Sequence, residues 1–370
     1  MKAKKLVSLA LVTTMMATVA GCGGLGSATD KNSGSTDTKQ AAADEKPSAI
    51  STQGKTNDIV IKVSNGSADT APFVRAQIDT FLPAVEEKTD GKAGVEVYAS
   101  GQLGDDTTTT EAVIAGQLEC TNTSTAPLVS YVPELAIFDI PFLFDSEEQA
   151  DYILDNTEVG EYLNKKLEEK GIINLAWNEN GFRQLTNSKV AVQSVADLKG
   201  LKIRTMENEF HIELWNSLGA TSVPMGASEL YTALQQGTVD GEENPIPNMF
   251  AYRFQEVQKY ITKTNHIYSP FVMAFSKKIW DTYDEDTQNA IREAALEYAK
   301  VERENNRAEA ETDLKLCETD YDCEVTELSE ESKQEFKDAT AHIRDMVAED
   351  AGTEIMDLLD KAVAEYEAQK

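Results

Sequence analysis

Three neighbouring stretches decide the fold of this chain: WNENGFRQLTNS (177–188), DLKGLKIRTMENEFHIELWNSLGA (197–220) and VPMGASELYTALQQGTVDGEENPIPN (223–248). Arg183 lies in the first stretch, after IINLAWNENGF, and Arg204 ends an apolar alternation in the second. A guanidinium matches a carboxylate through two hydrogen bonds. Two such arginines, followed by the turn DGEENP, predict a site for an anion. A solvated edge residue or an internal ion pair is the plainer alternative for each.

The sequence around these stretches alternates strand and helix patterns. DIVIKVSNG (58–66) is apolar at every second position, and a helix pattern at 72–88 and the strand GVEVYAS (94–100) follow it. A further helix pattern spans 147–170 and ends at Gly171. This alternation predicts an α/β domain with a largely parallel sheet. A second unit begins near Gly181 and carries the Arg204 strand and helix patterns at 209–218 and 228–236.

These patterns set the predicted domain boundaries. About 310 residues follow the N-terminal leader and tether, which is enough for two domains of ordinary size. The tail is helical in pattern at 285–316 and 329–349, with Ser329 as an N-cap. We therefore predict a first lobe at 58–180 to which 269–300 return, a second lobe at 181–268, and C-terminal helices at 284–370 that pack across both lobes.

The N-terminus reads as an export signal. Residues 1–21 have a basic start, an apolar run and small residues before Cys22. V-A-G-C resembles the lipobox of bacterial lipoproteins, which implies cleavage before Cys22 and lipid on its sulfur; an ordinary secretory signal is the alternative. Residues 22–57 are small and polar, so they predict a disordered tether. The expected location is the outer face of the cell membrane, through the lipid anchor, or the periplasm.

Composition excludes several functions. The formal net charge of −30 argues against nucleic acid as a partner. Three scattered histidines and the lack of a G-x-S-x-G motif argue against a catalytic triad. No histidine lies near the cysteines in the sequence, which argues against a metal site. We therefore expect no cofactor, no metal and no enzymatic activity. Cys317 and Cys323 are close in an exported chain and predict a short-loop disulfide, whereas Cys120 is expected to be a buried thiol.

The ordered set G-F-R, D-L-K-G-L-K-I-R, L-G-A, S-E-L-Y-T-A-L-Q and V-D-G-x-E-N-P resembles the DctP-type solute receptors of TRAP transporters. These transporters are tripartite, ATP-independent importers of organic acids. SGQLGDD (100–106), FDIPFLF (138–144), EVQKY (256–260) and TNHIY (264–268) extend the resemblance over roughly 59–300. It implies a two-lobed α/β fold like that of periplasmic binding proteins (a Venus flytrap). Such a receptor, expected to be a monomer, closes on its ligand and delivers it to membrane subunits.

The resemblance also implies roles for individual residues. Arg204 would grip the ligand carboxylate, and Arg183 would be a second positive group that touches the ligand, orients Arg204 or pairs with Glu243. Asn244 would donate a hydrogen bond to a carboxylate or hydroxyl. The weaker candidates are Asn208 and Tyr231 in the second lobe, Asn65 and Ser124 at strand ends of the first lobe, and Trp177, which would stack on the ligand. Core packing is the alternative for Tyr231 and Trp177.

Departures from the family pattern indicate the ligand. Ala227 stands where many members have an aromatic residue, which leaves room for a ligand bulkier than a four-carbon diacid. Glu242 replaces the usual glutamine, and the uncharged TNTSTAPL (121–128) makes sialate less favoured. R-T-M-E-N followed by a helix with Trp215 resembles the sugar-acid-binding members. We expect a hexuronate or related sugar acid, with a C4-dicarboxylate next. A sensory lipoprotein that presents its ligand to a membrane sensor, and a secreted sugar-acid enzyme, are the alternative functions.

Overall fold

The computed structural model describes residues 48–52 and 57–369, all within one compact unit. The predicted signal peptide, Cys22 and most of the predicted tether lie outside the described residues. Within the described ranges, no helix is both long enough and apolar enough to cross a bilayer.

Strands and helices alternate through most of the chain. The strands are β1 (Ser51–Thr52), β2 (Ile59–Asn65), β3 (Ala93–Tyr98), β4 (Cys120–Ser124), β5 (Ile172–Phe182), β6 (Gln184–Asn187), β7 (Lys202–Thr205), β8 (Thr221–Pro224), β9 (Gly241–Asn244), β10 (Tyr260–Lys263), β11 (Tyr268–Ser276) and β12 (Glu324–Glu327). The α-helices are α1 (Pro72–Ala76), α2 (Leu82–Lys88), α3 (Asp106–Ala115), α4 (Thr125–Leu128), α5 (Glu147–Asn156), α6 (Glu158–Glu169), α7 (Glu209–Ser217), α8 (Ala227–Gln235), α9 (Ile246–Ala251), α10 (Lys277–Trp280), α11 (Glu285–Thr319), α12 (Glu330–Thr340), α13 (Ile343–Ala351) and α14 (Thr353–Glu367). Three short 3-10 helices (Pro133–Asp139, Val195–Leu198 and Phe254–Glu256) and one π-helical turn (Gln77–Phe81) complete the set.

The first lobe is built on a six-stranded sheet of order β1-β3-β2-β4-β11-β5. Strands β3, β2 and β4 are parallel, whereas β11 runs antiparallel to both β4 and β5. Strands β4, β5 and β11 are buried along almost their whole length, because helices cover both sides of this part of the sheet. Ile61, Val63 and Phe271 face the cluster that contains Tyr298 of α11.

The second lobe is built on a six-stranded sheet of order β12-β10-β6-β9-β7-β8. Its outermost strand, β12, comes from the tail, where the periodicity predicts only helices, and it pairs parallel to β10. The sequence EVTE has little apolar character, so the strand depends on the open edge of β10. The predicted tether is likewise too long, because Ser51–Thr52 pair with the open edge of β3.

The chain crosses between the two sheets at Arg183, between β5 and β6, and returns at 264–267, between β10 and β11. The two crossings are bonded to each other, since Arg183 N donates to Ile267 O at 2.9 Å. Helix α11 runs past both lobes: Tyr298 packs under the first sheet and Cys317 in the core of the second. Phe336 and Val347 of the tail pack in a third cluster, which takes residues from both sheets.

Two predicted helices are each broken in the structure. The pattern at 147–170 divides into α5 and α6 at Thr157, which is extended (φ −128°, ψ 169°) and whose Oγ1 accepts a hydrogen bond from Val159 N. The pattern at 329–349 divides before Ile343. A threonine hydroxyl competes with the backbone hydrogen bonds of a helix. Thr157 therefore starts a new helix, although the apolar periodicity of the sequence continues past it.

Candidate ligand-binding site

A cavity of about 300 Å³ lies between the lobes, at the ends of strands from both sheets. Ser67, Asn122 and Ser124 line it from the first lobe, and Arg204 and Asn244 line it from the second. Ser67 Oγ lies 2.8 Å from Asn248 Oδ1 and 3.1 Å from Tyr252 Oη, so the two lobes touch beside the cavity.

Arg204 is anchored by a neutral group. Strand β7 lies between β8 and β9 and carries Arg204 near its end. The Nε and Nη2 atoms donate to the carbonyl oxygen of Met225 at 2.9 and 2.6 Å. Burial lowers the pKa of Arg204, although nearby Glu243 opposes the shift, and the side chain is only slightly exposed. A guanidinium has five N–H donors, so this anchor leaves donors for an anion in the cavity.

Arg183 is held by the protein's own carboxylate. Its Nη2 atom donates to Glu243 Oε1 at 2.9 Å, its Nε atom donates to Glu243 Oε2, and both residues are fully buried. The pairing with Glu243 is therefore present, as one of the predicted alternatives. Nη1 of Arg183 has no partner among the described residues, and Arg183 lines the cavity. The charge of Arg183 is balanced internally, but one of its nitrogens is left for the cavity.

Glu243 is the centre of a buried ionic network. His266 Nε2 lies 3.1 Å from its Oε2, and His211 Nε2 lies 3.0 Å from Asp139 Oδ1. Burial alone would raise the pKa of Glu243, but Arg183 and the histidines outweigh burial and hold it well below its usual value. Burial also opposes protonation of His211, yet Asp139 and Glu243 raise its pKa to about 9. The network is therefore nearly neutral, with Arg183 and His211 opposite Glu243 and Asp139.

Asn244 lies between this network and the cavity. Its Oδ1 accepts hydrogen bonds from Arg183 Nη2 and Asn248 Nδ2, both at 3.3 Å, and its Nδ2 donates to Glu242 Oε2. Glu242 does not line the cavity; it is fully buried behind Asn244, and burial raises its pKa to about 7. The side chain of Asn244 is thus fixed in orientation before a ligand arrives.

The cavity brings together four of the nine predicted ligand residues: Arg183, Arg204, Asn244 and Ser124. The others lie elsewhere, each for a local reason. The amide of Asn65 forms two hydrogen bonds with the amide of Gln77, at 2.8 and 3.0 Å. Asn208 is the N-cap of α7 and also donates to Asp139. Glu243 lies behind Arg183.

Two aromatic residues predicted to contact the ligand do not line the cavity. Trp177 is buried in the core, where its ring lies 5.9 Å from Phe138, so the core alternative is the one observed. Tyr231 turns away from the cavity, and its hydroxyl donates to Glu256 at 3.0 Å. Its neighbour Leu230 lines the cavity instead, because adjacent residues of a helix point in different directions.

Several residues that line the cavity are not predicted from the sequence. Asp106 lies at the start of α3, and burial together with Asp105 raises its pKa to about 6. It belongs to SGQLGDD, a segment that was singled out without a role for this residue. Asn122 lies one strand from Asn65, and Asn180 precedes the crossing at Arg183. Neither carries a distinct sequence signal, because Asn122 stands in the polar strand CTNTS and Asn180 is one of three asparagines in β5.

The predicted Cys317–Cys323 disulfide is not formed in the structure. Both residues are buried free thiols, as is Cys120. Cys317 is in the last turns of α11 and Cys323 precedes β12, and Cys323 N donates a hydrogen bond to Cys317 O at 2.9 Å. The two cysteines lie in the same core cluster of the second lobe, without a bond between their sulfur atoms.

Two lobes joined by paired crossings, with two arginines in the cleft between them, define a binding protein for a small anionic solute. The chain belongs to the DctP family of bacterial extracellular solute-binding proteins (family 7), whose model matches residues 64–350. A solute-binding protein from Verminephrobacter eiseniae is 43% identical over 226 residues, which are 61% of this chain and 67% of that protein.

Two solved structures agree with this assignment. The sugar acid binding protein DctPAm from Advenella mimigardefordensis strain DPN7T, in complex with galactonate, has a TM-score of 0.80 and 36% identity over 84% of this chain and 99% of that chain. A TRAP periplasmic solute-binding protein from Polaromonas sp. JS666, bound to D-erythronate, has a TM-score of 0.78 and 35% identity over 83% and 98%. The predicted family and the two-lobed α/β fold are confirmed. This is an extracytoplasmic solute-binding protein of the TRAP type.

Proposed function

We propose that this protein captures a sugar acid by its carboxylate at Arg204 and delivers it to the membrane subunits of a TRAP transporter. One observation carries the proposal: the buried Arg204 guanidinium bonds only the Met225 carbonyl within the described chain. A buried cation without a counter-ion is costly. A ligand carboxylate in the cavity would supply the missing charge through a charge-assisted, two-bond contact.

The cavity suits a ligand that has hydroxyl groups as well as a carboxylate. Ala227 presents only a methyl group to the cavity, and Asn244 and Asp106 provide polar groups along the cleft. The two similar proteins described above bind galactonate and D-erythronate, which are polyhydroxy monocarboxylates. A hexuronate or related sugar acid therefore remains the favoured ligand, and a C4-dicarboxylate is the second candidate.

Arg183 contributes mainly by positioning the residues that contact the ligand. Its pair with Glu243 fixes Asn244 and gives the wall behind Arg204 a net charge near zero, while Nη1 stays available to the ligand. Arg204 and Asn244 are thus the primary contacts. No bond in the ligand needs to be broken for this role, and we assign the protein no enzymatic activity.

Delivery to a membrane transporter also needs a location. A lipid on Cys22, followed by a tether that ends near Ser51, would hold the receptor at the outer face of the membrane. The alternative, presentation of the ligand-bound form to a membrane sensor, would use the same cleft and the same anchor. Uptake of radiolabelled acid by cells with and without the gene separates transport from sensing.

The role of Arg204 is tested by two variants and a control. A thermal-shift screen of uronates, aldonates and dicarboxylates first identifies a ligand, because a ligand that binds only the folded state raises the melting temperature. Arg204→Ala should then raise the Kd at least 100-fold, about 3 kcal/mol, since the ligand carboxylate is left unpaired. Arg204→Lys should also weaken binding, because the guanidinium fork is lost. Arg344→Ala, which removes an arginine that pairs with Asp360 at the surface, is the matched control. Unchanged affinity in both Arg204 variants would disprove the role.

A further inference from the structure

Two buried asparagine amides line the cavity without partners. Asn122 is 2% exposed, and neither its amide nitrogen nor its amide oxygen has a hydrogen-bond partner among the described residues. Asn180 is 3% exposed, and its Oδ1 also has no partner there. Leaving a buried polar group unsatisfied is destabilising, because its hydrogen bonds to water are lost and not replaced. Groups of this kind, placed on the wall of a binding cavity, point to contact with a ligand.

The neighbours of Asn122 do not share this property. Asn65 is its partner in the adjacent strand β2, and Gln77 satisfies the Asn65 amide. On the same strand, the Thr121 hydroxyl bonds Thr109, and the Ser124 hydroxyl bonds Ser269. The amide of Asn122 is therefore without a hydrogen-bond partner among the described residues, whereas the polar groups beside it are hydrogen-bonded.

The two walls of the cavity differ in charge, because both lining arginines lie outside the first-lobe strands; the acidic Glu207 lines the cavity on the second-lobe side. Among the described lining residues, the cations are Arg183 and Arg204, and neither belongs to the first-lobe strands. The charged groups on the first-lobe wall are Asp105 and Asp106. A second carboxylate on a ligand held by Arg204 would therefore meet carboxylates rather than a cation. Two negative charges repel each other more strongly in a buried cleft than in water.

We propose that Asn122, together with Asn180, is the hydroxyl-recognising end of the site, and that it selects polyhydroxy monocarboxylates against dicarboxylates. An amide side chain both donates and accepts hydrogen bonds, which matches a hydroxyl group, whereas a carboxylate only accepts. Phe73 and Phe271, whose rings lie 4.7 Å apart, line the same cavity and offer apolar surface to the carbon chain between the hydroxyls. This inference rests on the proposed function, since it concerns the end of the ligand that Arg204 does not hold.

Calorimetric titration with three acids tests the selection. Galactonate and galactarate share a six-carbon hydroxylated chain and differ in whether the far end is a hydroxymethyl group or a carboxylate, and succinate has no hydroxyl. The wild-type protein should bind galactonate at least tenfold more tightly than galactarate. Asn122→Leu should weaken galactonate at least tenfold and leave the Kd of succinate unchanged within about twofold, because each lost hydroxyl contact counts only for ligands with hydroxyls.

Control variants separate a loss of ligand contact at Asn122 from a loss of folding and from a failure at Arg204. The unliganded Asn122→Leu protein should melt at the same temperature as the wild type or higher, because an unsatisfied buried amide has been removed. Asn122→Asp retains the size but removes the donors, and it should weaken galactonate as well. Equal affinity of the wild type for galactonate and galactarate, or an equal loss for all three acids in Asn122→Leu, would overturn the inference. Arg204→Ala, by contrast, should weaken every acid, so a failure there counts against the proposed function and not against Asn122 alone.

Discussion

At the scale of single residues, Glu242 gives the protein a stability that depends on pH. Burial raises its pKa from 4.5 to about 7, although hydrogen bonds from Asn244 and Thr186 oppose the shift. Between these two values the folded chain holds a proton that the unfolded chain has lost. The free energy of unfolding therefore falls as pH rises through this window, by about 1–3 kcal/mol, and levels off above the folded pKa.

Glu242→Gln should remove this contribution. In urea denaturation the difference between variant and wild type should favour the variant more at pH 8 than at pH 5, because glutamine is neutral at both values and occupies nearly the same volume. The exposed Glu229→Gln is the matched control. A difference that does not change between the two pH values would show that Glu242 is already ionised at pH 5.

Position at a strand end or in a turn predicts part of the site better than residue type alone does. Arg183, Arg204 and Asn244 could be selected because each stands at a strand end or turn, where a side chain reaches a cleft. Asn65 and Asn122 could not be distinguished in this way, since both are amides near the ends of buried strands. Only the fold shows that Gln77 reaches one and not the other.

At the scale of secondary structure, local capping signals decide where helices begin and distant pairing decides where strands form. Ser329 caps α12 as predicted, because its hydroxyl and the backbone it satisfies are three residues apart. Strand β12 could not be predicted, because its partner β10 lies more than sixty residues earlier and the sequence EVTE has no strong preference of its own. The break at Thr157 carries a local signal that the stronger apolar periodicity concealed.

Thr157→Ala should therefore destabilise the first lobe through the start of α6. The Thr157 hydroxyl accepts from Val159 N at 3.2 Å and donates to Ile153 O at 2.7 Å, so it joins the end of α5 to the beginning of α6. Loss of such an N-cap costs about 0.5–2 kcal/mol. Thr157→Ser keeps the hydroxyl and should cost less, as chemical denaturation of both variants would show. Equal losses would assign the effect to the lost methyl group.

At the scale of the whole molecule, the site is divided between two bodies that the chain joins at Arg183 and at 264–267. Arg204 and Asn244 belong to the second lobe, whereas Asn122 and Asp106 belong to the first. A ligand shifts the balance between open and closed forms only by its difference in affinity for the two. An acid that Arg204 alone holds touches one lobe and has little such difference, so closure depends on the contacts at the far end.

Small-angle scattering at saturating galactonate should reveal this dependence. The radius of gyration of the wild type should decrease on binding, because the ligand joins the two walls of the cleft. Asn122→Leu, once saturated at higher concentration, should show a smaller decrease, since its ligand keeps the Arg204 contact and loses one partner in the first lobe. Arg344→Ala should behave as the wild type does. A full decrease in saturated Asn122→Leu would mean that the charge at Arg204 closes the lobes without help from the first-lobe amide.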